Sequence, residues 1–315
     1  MLTEKILVGI SSCLLGEEVR FDSGHKHHSY TTGTLGQYFE FRSFCPEMSI
    51  GLGVPREPVR LVDLGEEIKC IGTKTKDLDV TEKLIQCAHA QSNWLDDVYG
   101  YIVKKDSPSC GMERVKVYKN DMPERKGSGL YTHTIMTNYP DLPVEEEGRL
   151  GDPVLRENFI KRIFTYKRWR DFIESNPGWP ELFNFHAQHK YILYSHDQNK
   201  ARQLGKELSE AGKGVLSDYV ELYGKQLMEI LKIPATRKNH VNALLHIQGY
   251  LKRDLDKDDK QELSSIIEAY RLGHVPLIVP ITLLRHHFRK TPDEYINNSY
   301  YMNPHPVELM LLNSL

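Results

Sequence analysis

The first half of the chain alternates short apolar runs with loops. Lys5–Ser11, Val59–Val62, Ile68–Ile71, Tyr99–Val103 and Val115–Tyr118 are brief, rich in β-branched residues and bounded by Gly, Pro or Asp, the pattern of strands. Thr32–Tyr38 and Val80–Leu95 read as helices; in the second, Leu84, Ile85, Ala88 and Trp94 approach one face. Strands alternating with helices predict an α/β N-terminal domain, Rossmann-like, with a mainly parallel sheet.

The second half has a different period. Val154–Ile173 sets Leu155, Phe159, Ile160, Ile163, Phe164, Trp169, Phe172 and Ile173 at helical spacing. Further helices are expected near 181–195, 198–211, 216–231, 238–256, 260–272 and 280–289, punctuated by Pro234, Pro276 and Pro280. The acidic, Gly- and Pro-bearing stretch Glu145–Pro153 marks the change, which gives an α/β domain over 1–150 and an all-α domain over 151–315.

Composition adds exclusions. In 315 residues no apolar run approaches a membrane span, and Met1–Cys13 reads as a first strand and not a signal peptide, so a cytoplasmic protein is expected. No membrane or protein partner is expected. The net charge of -2 speaks against a globally basic nucleic-acid binder, but it is unevenly divided. Residues 1–150 hold 18 Lys+Arg and 23 Asp+Glu, whereas residues 151–315 hold 23 and 20.

The five cysteines form no CxxC pair, and their odd number argues against a disulfide framework. Cys13 follows the first strand in Ser11-Ser12-Cys13-Leu14-Leu15-Gly16, Cys45 lies in Phe44-Cys45-Pro46-Glu47, and Cys110 closes Ser107-Pro108-Ser109-Cys110-Gly111. Loops after the carboxyl ends of strands converge on one crevice in an open α/β sheet, so three thiols there are candidates for one metal centre. Thiolates suit zinc or an iron–sulfur cluster. Cys70, inside a strand, and Cys87, on a helix, read as packing residues. The His25-Lys26-His27-His28 run reads as a loop and not as a metal site.

Three strings carry a resemblance: GISSCLLG-x-x-VRFD at 9–22, FCPEMSIGLGVPR-x-PVRL at 44–61 and DSPSCG at 106–111. Together they resemble the thiouracil desulfidase family. The second half, with FHAQHK at 185–190, NHVNALLHIQGY at 239–250 and PLIVPITLLRHH at 276–287, resembles a helical domain found fused to that family. The fused arrangement is similar to bacterial tRNA 4-thiouridine desulfidases. The resemblance implies a [4Fe–4S] cluster on Cys13, Cys45 and Cys110 with one iron lacking a protein ligand, and an enzyme that converts 4-thiouridine in tRNA to uridine. The alternatives are a desulfidase of free thiouracil or thioamides, and a non-catalytic metal-cluster sensor that binds RNA.

Glu47, two residues after Cys45, is the expected general acid/base, with Ser107 as the second catalytic candidate. Ser12, Asp22, Ser109 and Arg56 are expected near substrate. Asp22 reads equally as a turn anchor with Gly24, Ser109 as a turn cap, and Arg56 as a partner of local acids. For tRNA binding, Lys161–Arg170 offers Lys161, Arg162, Lys167, Arg168 and Arg170 among three aromatics and no acid, and Arg285, Arg289 and Lys290 form a second basic cluster. Arg237–His240 opens a helix whose amides can also face phosphate.

Overall fold

A computed structural model of the chain describes residues 4–212, 214–306, 309 and 311–313. The chain forms two compact units, Met1–Gly151 and Asp152–Leu315.

The first unit is α/β, with eight strands in two sheets. The strands are β1 (Ile6–Ser11), β2 (Phe39–Phe44), β3 (Val59–Asp63), β4 (Ile68–Gly72), β5 (Tyr101–Val103), β6 (Val115–Lys119), β7 (Met122–Gly127) and β8 (Val144–Glu146). One sheet, ordered β2-β1-β5-β8, is parallel throughout. The other, β4-β3-β6-β7, pairs β3 with β6 in parallel and adds an antiparallel strand at each edge. Five helices accompany them: α1 (Ser29–Gly33), α2 (Pro46–Ser49), α3 (Thr81–His89), α4 (Ser92–Leu95) and α5 (Leu130–Asn138).

The parallel sheet fixes the site. Its register runs Ile6 with Phe39 to Ser11 with Phe44, Ile10 faces Ile102, and Ile102 faces Glu145. The carboxyl ends of β1, β2 and β5 therefore lie side by side. Val8, Ile10, Ile102 and Val103 are wholly buried, as expected for strands of a covered parallel sheet.

The local pattern departs from expectation in five places. Where a helix is expected over Thr32–Tyr38, Gly33 and Gly36 weaken helical propensity, and the chain makes only the single turn α1 and a 3-10 turn at Leu35–Gln37. The Val80–Leu95 helix breaks into α3 and α4 because Gln91 caps from both sides. Its amide donates to the Cys87 carbonyl, and its Oε1 accepts from Trp94. Strands β2, β7 and β8 lie outside the expected set. β7 is exposed at every residue but Gly127, so it has no apolar signal to read. β8 buries the carboxylates Glu145 and Glu146, whose partners come from elsewhere in the chain.

The second unit is helical: α6 (Pro153–Glu174), α7 (Trp179–His196), α8 (Gln198–Ala211), α9 (Leu216–Lys232), α10 (Arg237–Gln248), α11 (Lys257–Arg271), α12 (Ile278–Lys290) and α13 (Glu294–Asn297). Asp152, Asp197, Thr236, Asp256 and Asp293 are side-chain N-caps, each contributing about 1 kcal/mol. Helix α7 is central and packs on α8, α9 and α10. Among the described residues, no helix is long and apolar enough to cross a membrane.

This core holds histidines in their neutral form. Burial pushes His196 down to about 3 and His186 to about 4, and also depresses His189 and His240 well below the usual imidazole value. An unfolded chain takes up protons near pH 6.5 that these folded residues refuse, so stability is complete above that pH and is lost as pH falls toward 4. The thermal transition of the helical unit should hold steady between pH 8 and 7 and drop progressively from pH 6.5 to 4.5, as read by calorimetry.

Candidate active site

Each of the three candidate thiols follows a strand of the parallel sheet. Cys13 sits in a 3-10 turn, Ser12–Leu15, directly after β1, and its carbonyl accepts from the Lys26 amide at 2.8 Å. Cys45 follows β2 at the N-cap of α2, where Pro46 occupies the first helical position. Cys110 ends the turn after β5. The Ser107 hydroxyl accepts the amides of Ser109 and Cys110 at 3.3 and 3.1 Å, and Thr132 Oγ1 donates to the Cys110 carbonyl at 2.7 Å. All three line one cavity of about 280 Å³, together with Ser12, Glu47 and Ser107.

Two glycines make the Cys110 turn possible. A β-carbon on Gly129 would stand 2.4 to 2.6 Å from the backbone of Ser109 and Cys110, and one on Gly111 would meet Val115 at 2.4 Å and the Ser107 carbonyl at 3.0 Å. The backbone of α5 can approach the thiol loop only without them.

Glu47 ties two of the thiol loops together. Its Oε2 accepts from Arg56 Nε at 3.0 Å and Nη2 at 2.7 Å, and its Oε1 accepts from Ser109 Oγ at 2.5 Å. Ser109 in turn lies 3.0 Å from Ser107 Oγ and 3.7 Å from Cys110 Sγ. A hydrogen-bonded chain thus runs from Arg56 through Glu47 and Ser109 to Ser107 at the cavity wall.

The electrostatics favour an anionic guest. Burial pushes the Cys13 thiol up to about 11, with Lys104 and Arg20 pulling the other way, and burial also raises Cys45 and Cys110. The isolated thiols keep their protons at neutral pH, so any metal group that takes them as thiolates must displace protons. Arg20, Lys26 and Lys104 line the same cavity. Among the described residues, no group of three or more His, Cys, Asp or Glu side chains could hold a metal ion; the three thiols border a cavity and do not converge on a point.

Residues 8–147 match the family model of 2-thiouracil desulfurase, and residues 190–306 match DUF1722, a family of unknown function. The chain is thus similar over its first unit to 2-thiouracil desulfurase and over most of its helical unit to DUF1722. The uncharacterized protein YbgA of Escherichia coli (strain K12) is 29% identical over 159 residues, covering 50% of this chain and 94% of YbgA. Among solved structures, the [4Fe–4S]-dependent thiouracil desulfidase TudS is 29% identical. That match covers 48% of this chain and 95% of TudS, with a TM-score of 0.36.

Within the first unit, two substrate candidates have other work. Asp22 is exposed and accepts the Gly24 amide at 3.2 Å, a turn anchor outside the cavity lining. Arg56 commits its guanidinium to Glu47, the carbonyls of Gly53 and Val19, and Met48 Sδ, so it orients Glu47 and has no donor left for phosphate. Ser12 and Ser109 are buried at the cavity wall. Cys70 belongs to the core between β4 and α3, away from the cavity.

Two residues that sequence reasoning missed secure the cavity. Glu147 accepts from Lys104 Nζ at 2.5 Å and the Lys105 amide at 2.7 Å, and Glu146 accepts the Met112 amide at 2.8 Å. The two carboxylates at the end of β8 thus hold both ends of the loop that carries Ser107 and Cys110. Their only sequence signal is a run of three acids, which also reads as a solvated linker.

The helical unit disperses its basic run. A helix turns 100° per residue, so neighbouring cations fan around its axis. Lys161 is 3% exposed and paired with Glu157 at 2.9 Å, and Arg162 is also buried. Arg168 stacks 4.0 Å over the Tyr300 ring and donates to the Pro304 carbonyl and His189. These three are interior groups and not surface phosphate contacts. Lys167 pairs with Asp171, Arg170 lies over Tyr166, and Arg285 donates to the Met302 carbonyl. Arg289 and Lys290 are exposed at the end of α12. His186, His189 and His196, at helical spacing on α7, bond Tyr223, Phe185 and Ile233 respectively.

The glycine contacts give a direct test. Gly129→Ala should destabilise the first unit by about 1–3 kcal/mol and speed the reaction of Cys110 with a thiol reagent. Gly33→Ala, where a β-carbon meets nothing within 4 Å, should change neither.

Proposed function

We propose that the chain removes sulfur from 4-thiouridine in tRNA, with a [4Fe–4S] cluster on Cys13, Cys45 and Cys110. The observation that carries the reading is the shared cavity of a desulfurase-like domain, in which three thiols stand beside Glu47 and a serine relay. Three soft donors spaced around a cavity, with cations nearby, fit a multi-iron anionic group better than a lone ion. When bound, the cluster would offer a thiophilic iron, free of protein ligand, to the sulfur of a thiocarbonyl.

The residues of the chain supply the rest. The net reaction is thiocarbonyl plus water to carbonyl plus hydrogen sulfide, with no oxidant or reductant. Two protons move from water to the departing sulfur. Glu47 is the group placed to carry them: its carboxylate is held by Arg56 and reaches the cavity wall through Ser109 and Ser107. Buried Ser109 and Ser12 exclude bulk water from this side.

The cations favour a nucleotide substrate over a free base. Lys26 and Lys105 line the cavity beside the ion-paired Lys104 and Arg20, and a neutral thiouracil has no charge to meet them. Exposed Arg289 and Lys290 of the second unit are the surface cations we assign to RNA.

Anaerobically reconstituted protein, incubated with thiolated tRNA, should convert 4-thiouridine to uridine and release equimolar sulfide. Unchanged 4-thiouridine with an intact cluster would reject the reading. Faster turnover of free 4-thiouracil than of tRNA would select the free-base alternative. Glu47→Gln should keep its iron and lose about 10²–10⁴ in kcat; full activity in that variant would remove Glu47 from the mechanism. Cys13→Ala, Cys45→Ala and Cys110→Ala should each lose iron, whereas Cys70→Ala and Cys87→Ala should retain it.

A further inference from the structure

The helical unit contains a second polar cavity, of about 240 Å³, at the start of α10. Arg237 and His240 line it from α10, Ala235 from the turn before that helix, and Glu157, Asn158 and Lys161 from α6. His196, at the end of α7, completes the polar wall, and Tyr270 and Leu277 supply an apolar one.

Its polar groups are arranged for a guest. Thr236 caps α10 by accepting the Asn239 amide, which leaves the amides of Arg237 and Lys238 without an acceptor. Helix N-termini with such amides attract anions. The second observation is independent of the helix. His196 is 2% exposed; its Nδ1 bonds the Ile233 carbonyl, so Nδ1 carries the proton, and its Nε2 has no partner. His240 bonds Tyr301 through its Nδ1. A buried imidazole lone pair with nothing to accept is costly. Lys161 and Arg237 against Glu157 leave one positive charge in excess.

We infer that this cavity is a binding site for a small phosphomonoester. Its phosphate would sit between Arg237, Lys161 and the α10 amides. Its second ionisation lies near pH 6, so it has a proton to share with an imidazole lone pair. A carboxylate or sulfate, ionised fully at neutral pH, has none. The cavity is larger than a phosphate ion needs, and the remaining space, against Tyr270 and Leu277, takes the organic part. The inference does not depend on the desulfidase reading, because every residue named lies in the other unit.

Titration calorimetry on the full chain, with inorganic phosphate, uridine 5′-monophosphate and sulfate as probes, tests it. Phosphate and the nucleotide should each bind at one site, with sulfate at least about tenfold weaker. Arg237→Gln should weaken phosphate about tenfold or more, and Ala235→Glu, which adds a carboxylate at a half-buried edge of the cavity, should do the same without disturbing the core. Arg20→Gln, in the desulfurase cavity, should leave this binding unchanged. No saturable binding below about 10 mM, equal binding of sulfate, or sensitivity to Arg20→Gln in place of Arg237→Gln would each overturn the inference.

Discussion

The carboxylate of Glu47 is shared between Arg56 and Ser109, and the geometry of the cavity depends on that sharing. One oxygen fixes the helix that begins at Cys45; the other fixes the turn that ends at Cys110. Arg56 extends the link to the Val19 carbonyl, which also lies 4.0 Å from Cys45 Sγ. Arg56 and Glu47 are 7% and 14% exposed at their side chains, so neither is well solvated. Removing one partner of such a pair leaves an uncompensated charge, which costs about 3–5 kcal/mol. The residue assigned to proton transfer is thereby also a structural link, and charge-neutral, same-shape substitutions separate the two roles better than truncation does.

The settings of Cys13 and Cys110 were legible because local chemistry dictates them, a strand and then a turn that carries the thiol; Cys45 was legible only from its own Pro-bearing string, because β2 was not expected. The α/β and all-α division was legible from hydrophobic period alone. What escaped was whatever depends on contacts between distant segments. β8 buries carboxylates that make sense only once Lys104, Lys105 and Met112 are beside them. Arg56 reads as either a substrate contact or a partner of local acids until Val19, Gly53 and Glu47 surround it.

The same limit explains the basic helix. A run of cations with no acid inside it suggests a charged surface, but the acids that neutralise Lys161 and Lys167 lie one helical turn away, at Glu157 and Asp171. The carbonyl and ring that receive Arg168 come from Pro304 and Tyr300, more than a hundred residues on. Linear charge density predicts a surface only where the helix is not interior, and α6 carries Phe159, Ile160 and Ile163 wholly buried.

The adjacency of β1, β2 and β5 has a consequence for biogenesis. The three thiols become neighbours only when the parallel pairing of these strands is complete, and parallel pairing is a long-range, late event. A nascent chain that has emerged as far as β2 presents two cysteines and no cavity. The third arrives with the turn after β5, which is itself held by α5 and β8 downstream. A metal centre on these thiols, as proposed, would therefore form only after synthesis of nearly the whole first unit, on a folded acceptor and not on an unstructured ligand set.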